Sequence, residues 1–142
     1  MKNYYSNLIK TICLAHLIIS MSFTLAGQIK VIKVACVGNS ITFGNGLKNP
    51  VKDAYPGVLQ CLLGNRYEVR NFGCSGATML QNSNNPYWKT KAYQSAKQYN
   101  PDIVLIKLGT NDSKFENKAH WKEFANDLSN ICLLYTSPSP RD

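Results

Sequence analysis

The sequence predicts an α/β domain built on a parallel sheet with helices on both faces. Three observations carry this. Apolar runs of strand length at 30–37, 67–72 and 103–108 alternate with stretches of helical periodicity. Each run stops at a loop rich in Gly, Asn and Ser, the residues that turn a chain sharply. The last run is apolar apart from Lys107, as expected of a strand covered on both faces. Right-handed crossovers between such strands bring all three loops to the carboxyl edge of the sheet, where open α/β sheets hold their ligands.

The first strand, 30–37, ends at Gly38-Asn39-Ser40-Ile41-Thr42. Gly38 permits backbone angles that other residues avoid, and Asn39 tolerates left-handed conformations, so the turn can hold the Ser40 hydroxyl out beyond the sheet. After a Gly44-Asn45-Gly46 loop, Asp53 is read as the cap of a helix with Pro56 in its first turn. Val58, Leu59, Leu62 and Leu63 form its expected apolar face, and Gly64-Asn65 ends it. The second strand, 67–72, stops at Gly73. The glycines of Gly73-Cys74-Ser75-Gly76-Ala77-Thr78 let the backbone approach a ligand and leave N–H groups free. A polar stretch leads to a helix from near Pro86, with Trp88, Ala92, Ala96 and Tyr99 expected inward. The third strand ends at Gly109-Thr110-Asn111-Asp112. A final helix from near His120 carries Trp121, Phe124, Leu128 and Ile131 on one side.

Neither end reads as part of this pattern. Lys2 and Lys10 precede an apolar stretch, 12–25, and Thr24-Leu25-Ala26 supplies small residues for cleavage. Residues 1–26 are therefore expected to be a signal peptide, and the protein to be exported, periplasmic or secreted, with no stable membrane association after cleavage. At the other end, residues 132–142 lose periodicity and carry two prolines. They match one translated frame of a transposase-based sequencing-library adapter. The native domain portion is thus expected to occupy 27–131, as the N-terminal part of a larger domain.

The whole chain carries a net charge of +8. Without Lys2, Lys10, Arg141 and Asp142, residues 27–131 keep 13 basic and 7 acidic side chains, a net +6. The lysines are scattered and not interleaved with aromatics, which argues against a nucleic-acid partner. Cys13 and Cys132 fall in the two ends. Cys36, Cys61 and Cys74 remain, with no metal-binding spacing; Cys36 and Cys61 read as small core residues, and pairing of Cys61 with Cys74 is left open.

A parallel sheet would gather the Ser40 hydroxyl, a Gly backbone N–H and the Asn111 carboxamide at one edge. That set suits acyl transfer, with serine as nucleophile and N–H and amide donors around an oxyanion. No phosphate-binding Gly-rich motif follows the first strand, so nucleotide chemistry is disfavoured. Cys74 or Ser75 as nucleophile lacks an identifiable base.

These residues resemble the SGNH, or GDSL, hydrolases, and in particular bacterial sialate and carbohydrate O-acetylesterases. Gly38-Asn39-Ser40-Ile41-Thr42 resembles the first conserved block, Asn71-Phe72-Gly73-Cys74-Ser75-Gly76-Ala77-Thr78 the second, and Gly109-Thr110-Asn111-Asp112 the third. The resemblance implies a flavodoxin-like three-layer sandwich with strand order 2-1-3-4-5, of which the last strands are missing here. It implies Ser40 as nucleophile and an oxyanion hole of Ser40 N–H, Gly73 N–H and the Asn111 side chain. It implies hydrolysis of O-acetyl esters on small molecules or glycans such as sialic acid, with no metal or organic cofactor. Two departures stand out. Asn39 occupies a position where the family usually has Asp. The family's Asp-x-x-His segment, which supplies the catalytic His and Asp, is absent from this chain. His120, preceded by Asn117, reads as a surface residue at a helix end. As printed, the chain is therefore expected to be inactive. The competing reading is a non-catalytic α/β module that binds a small ligand through the same loops.

Overall fold

The computed structural model describes residues 30–136; the expected signal peptide and the last residues of the tail lie outside the described residues. Three parallel strands, β1 (Ile32–Gly38), β2 (Tyr67–Gly73) and β3 (Ile103–Lys107), form one sheet in the order β2-β1-β3. Register runs from Ile32 opposite Tyr67 to Gly38 opposite Gly73, and from Val34 opposite Ile103 to Gly38 opposite Lys107. The strand that leads into Ser40 is therefore central, as the α/β reading requires.

Among the described residues five α-helices accompany the sheet: α1 (Ser40–Phe43), α2 (Pro50–Asp53), α3 (Tyr55–Leu63), α4 (Lys91–Tyr99) and α5 (Phe124–Thr136). Short 3-10 turns cover Gly64–Arg66, Tyr87–Lys89 and Phe115–Glu123. β1 is buried along both faces, with Val34, Ala35, Cys36 and Val37 all closed to solvent. Ala35 and Val37 join Phe72, Ala77, Met79, Tyr87, Tyr93, Ala96, Tyr99 and Ile131 in the main core. Tyr87 is the largest fully buried side chain in it, and its hydroxyl donates to Phe72 O at 2.7 Å, which satisfies the one polar atom it buries.

Several local expectations are corrected. Asp53 does not cap the helix that follows; it closes α2, and Ala54 precedes α3 with no side-chain cap. The expected apolar face of α3 is only partly covered: Val58 is exposed and Leu62 is 78% exposed. In α4 the inward residues are Tyr93, Ala96 and Tyr99, with Ala92 and Trp88 at the margin, and Thr90 caps the helix through the Tyr93 N–H. The last helix begins at Phe124, after a 3-10 segment that contains His120. It buries Asp127 and Ile131, while Trp121 and Leu128 are exposed.

β3 departs from its apolar reading in an informative way. Val104 and Ile106 pack against the core, but Ile103 and Leu105 on the other face are about two-fifths exposed, at 41% and 39%. Among the described residues β3 has no strand on its outer side. Finally, α5 continues as helix to Thr136, beyond the point where helical periodicity was expected to stop, and Tyr135 packs against the core cluster.

Candidate active site

The site is built from the turn that ends β1. Asn39 is buried, 1% exposed, and caps α1: its Oδ1 accepts the Ile41 N–H at 3.1 Å. An Asp would make the same bond, which explains why Asn serves where the family prefers Asp. The Asn39 N–H donates to Lys107 O at 3.3 Å and ties the turn to the end of β3. At Gly38 a Cβ would lie 1.9 Å from Thr42 Oγ1 and 2.8 Å from Lys107 O, so only glycine lets α1 fold back over its own strand. Ser40 is the first residue of α1 and half-buried. Neither its hydroxyl nor its N–H has a hydrogen-bond partner among the described residues. Beneath it, Thr42 Oγ1 donates to the Tyr55 hydroxyl at 3.4 Å, and that hydroxyl also reaches the Cys36 thiol. Burial pushes Tyr55 up to about 12 and raises Cys36, so both stay neutral and support the turn without chemistry of their own.

The third loop brings Asn111 to the same edge. Its Nδ2 donates one hydrogen to Ala77 O at 3.0 Å, which fixes the amide plane and leaves the second hydrogen free. Asn117 Nδ2 in turn donates to Asn111 O at 3.0 Å. The adjoining Asp112, 3% exposed, turns its carboxylate back onto the second loop and accepts the N–H groups of Met79 (3.0 Å) and Leu80 (2.7 Å).

Gly73 is not brought into this set. Amide directions alternate along a strand. The Cys74 N–H donates inward to Gly38 O on β1 at 2.8 Å, so the Gly73 N–H points to the outer edge of β2, where Asn71 Oδ1 accepts it at 2.8 Å. Gly73 also lines a groove on that outer side with Phe43, Val51, Gln60 and Asn71, away from Asn111. A glycine is required there for packing, since a Cβ would meet Phe43 N at 2.2 Å. The other glycine of the loop behaves differently. Gly76 has φ +79° and its N–H has no acceptor among the described residues. The loop's glycine pair was legible in the sequence; that the Gly73 N–H turns to the outer edge depends on strand alternation relative to β1, and register is not visible in one sequence.

The remaining candidates stand apart. Cys74 packs against the core and Ser75 is exposed. Cys36, Cys61 and Cys74 are all free, so no Cys61–Cys74 disulfide forms; Cys61 is exposed rather than in the core. His120 Nδ1 lies 3.0 Å from Glu123 Oε1, and Asn82 Nδ2 donates to the same carboxylate at 2.8 Å. These two hydrogen bonds hold the Glu123 carboxyl below its ordinary range. His120 is thus engaged at the start of α5.

A family model described as the GDSL-like lipase/acylhydrolase family matches residues 36–132. The chain belongs to this family. A curated relative from Xylanibacter ruminicola, named acetylxylan esterase, is 49% identical over 100 residues; the match covers 70% of this chain and 21% of the relative. Among solved structures, the carbohydrate acetylesterase family member from Sinorhizobium meliloti is 21% identical with a TM-score of 0.56. Another is 20% identical with a TM-score of 0.64. Each match covers 79% of this chain and 58% of the solved chain. These two share the fold of this GDSL-family chain, and the chain spans little more than half their length and about a fifth of the curated relative.

Proposed function

We propose that the protein to which this segment belongs is a serine esterase. Ser40 Oγ attacks the ester carbonyl, the alcohol leaves, and water hydrolyses the resulting acyl-Ser40. The developing oxyanion is held by the Ser40 N–H, the Gly76 N–H in place of Gly73, and the free hydrogen of Asn111 Nδ2. The single observation that carries this reading is the Ser40 hydroxyl, without a hydrogen-bond partner among the described residues at the carboxyl end of the central strand, with an Asn111 amide on the loop at the same sheet edge already oriented by Ala77 O. We place the base that takes the Ser40 proton on an Asp-x-x-His segment, as the family resemblance implies; the given sequence carries none.

The substrate we infer is an O-acetyl ester on a carbohydrate. The 49% identical relative named acetylxylan esterase favours acetylated xylan over acetylated sialic acid. The residues 1–26 reading adds export before action on such polymers. The test is hydrolysis of p-nitrophenyl acetate and acetylated xylan by the protein carrying its Asp-x-x-His segment, alongside residues 27–142 alone. Expected are activity in the first, background in the second, and a loss on the order of a million-fold on Ser40→Ala. Retention of activity in Ser40→Ala overturns the reading, and Ser40-dependent hydrolysis by residues 27–142 overturns the need for an external base.

A further inference from the structure

The reaction proposed above needs two oxyanion donors from different parts of the chain, Gly76 on the loop after β2 and Asn111 on the loop after β3. Nothing in either loop's own backbone fixes their separation. Residues 77–81 form no regular ladder with the third loop; what joins them is side chains. Asn111 Nδ2 reaches Ala77 O (3.0 Å), and Asp112 reaches the N–H groups of Met79 and Leu80. Two consecutive backbone amides on one carboxylate make a rigid, two-point contact. Each N–H takes a different oxygen, so the group between them must accept at both positions, as a carboxylate does. The Asp112 main chain is itself held, because Trp121 Nε1 donates to Asp112 O at 2.7 Å. A further contact on the same loop, Trp88 Nε1 to Met79 O at 2.7 Å, holds Met79 from its other side.

From this arrangement we propose that Asp112 is a positioning residue for the ester chemistry: its carboxylate sets the distance between the Asn111 amide and the Gly76 N–H. The inference rests on the esterase reading for its purpose but not for its geometry. The carboxylate lies one residue from Asn111 and reaches three and four residues past Gly76. It therefore couples the two donors directly, whereas Asp127, equally buried, takes the N–H and Nε2 of Gln81 (2.8 and 3.0 Å) from α5 and holds only the far end of the loop. Replacing the carboxylate by a carboxamide keeps its shape but puts a donor against one of two N–H groups. The loop then moves, and Asn111 loses its Ala77 O partner.

The experiment compares Asp112→Asn with Asp127→Asn in the full chain, followed by the side-chain amide signal of Asn111 in a 1H–15N spectrum and by amide exchange. Asp112→Asn is expected to shift the Asn111 side-chain signal and speed exchange at Met79, Leu80 and Ala77. Asp127→Asn is expected to speed exchange at Gln81 and leave the Asn111 signal in place. An unmoved Asn111 signal in Asp112→Asn, or an equal shift in both variants, overturns the proposal. Should Asp112→Asn fail to fold, scalar couplings across the hydrogen bonds from the Met79 and Leu80 amides to the Asp112 carboxylate decide it in the unaltered protein: their presence supports it and their absence overturns it. In the protein carrying its base, Asp112→Asn lowers kcat by about 100-fold, as expected for donors misplaced by an ångström, with KM within about twofold. A fall in KM-linked binding with unchanged kcat overturns it. If Ser40→Ala leaves hydrolysis intact, the esterase reading fails by itself, and the coupling of Asp112 to Asn111 is still decided by the spectrum.

Discussion

The Gln60 carboxamide stands in for a neighbouring strand beside Val69. Its Oε1 accepts the Val69 N–H at 2.6 Å and its Nε2 donates to Tyr67 O at 3.0 Å, the pair of bonds an adjacent backbone would make to the outer edge of β2. A second bond from Nε2 to Gly64 O (3.3 Å) closes the end of α3. Asn71 Oδ1 caps a further outward amide, that of Gly73. Edge strands left bare recruit other chains, and here side-chain amides cover the edge.

Gln60→Ala removes three hydrogen bonds and leaves β2 with an open donor and acceptor. Stability is expected to fall by about 1–3 kcal/mol, measured by urea denaturation, with increased self-association in light scattering. Gln60→Glu keeps the acceptor for Val69 and should lose less.

The two glycines of the second loop should separate by phenotype. Gly73→Ala drives a methyl into the backbone of Phe43 and is a folding lesion, seen as loss of the cooperative transition. Gly76→Ala meets only Asn85 Nδ2 at 3.1 Å but must hold φ +79°. It should fold with a cost of about 1–2 kcal/mol and lose activity in the protein carrying its base. If Gly73→Ala folds normally, the packing argument is wrong.

High pH probes the buried phenols. Burial raises Tyr55 and Tyr135 to about 12 from an ordinary 10, and Tyr87 further still. The native state therefore holds protons that the unfolded chain releases. Stability is full below pH 10 and is lost as pH rises through 12. A phenolate absorbance titration should show exposed tyrosines ionising first and the buried ones only together with unfolding. Ionisation of all tyrosines in one step near 10, with the fold intact, contradicts this burial.

Tyr135 offers a separate check on the last helix. Its hydroxyl is buried without a hydrogen-bond partner, the one such side-chain atom among the described residues. Tyr135→Phe is expected to raise stability by about 1 kcal/mol, measured by thermal melting, because it removes an unsatisfied group and keeps the ring. A loss of stability would mean the hydroxyl has a partner.

Much of this architecture was legible because apolar runs, glycines and turn residues act locally. Strand positions, the order β-α-β-α-β-α and the gathering of Ser40 and Asn111 at one edge follow from them. What escaped was set by contacts between distant segments. Asp53 has the chemistry of a cap, yet the chain makes an extra turn and spends it closing α2. Tyr93 joins Ala96 and Tyr99 in the interior, while Trp88 lies in the 3-10 turn ahead of α4 and packs half-buried against the core. Buried Asp112, Asn117 and Asp127 look in sequence like solvent-facing polar residues. Only the fold shows that each is matched to backbone amides of the loop opposite. That the Gly73 N–H faces outward likewise needed the pairing of Cys74 with Gly38.

The turn at Ser40 is fastened to both flanks, through Gly38 O to Cys74 and through Asn39 N–H to Lys107. A turn so placed has no private hinge. Fluctuations that loosen either side strand also detach the serine, so its opening free energy sits near that of the whole sheet. In the esterase proposed above, inactivation and global melting should then be a single event, with no partly frayed state that still works.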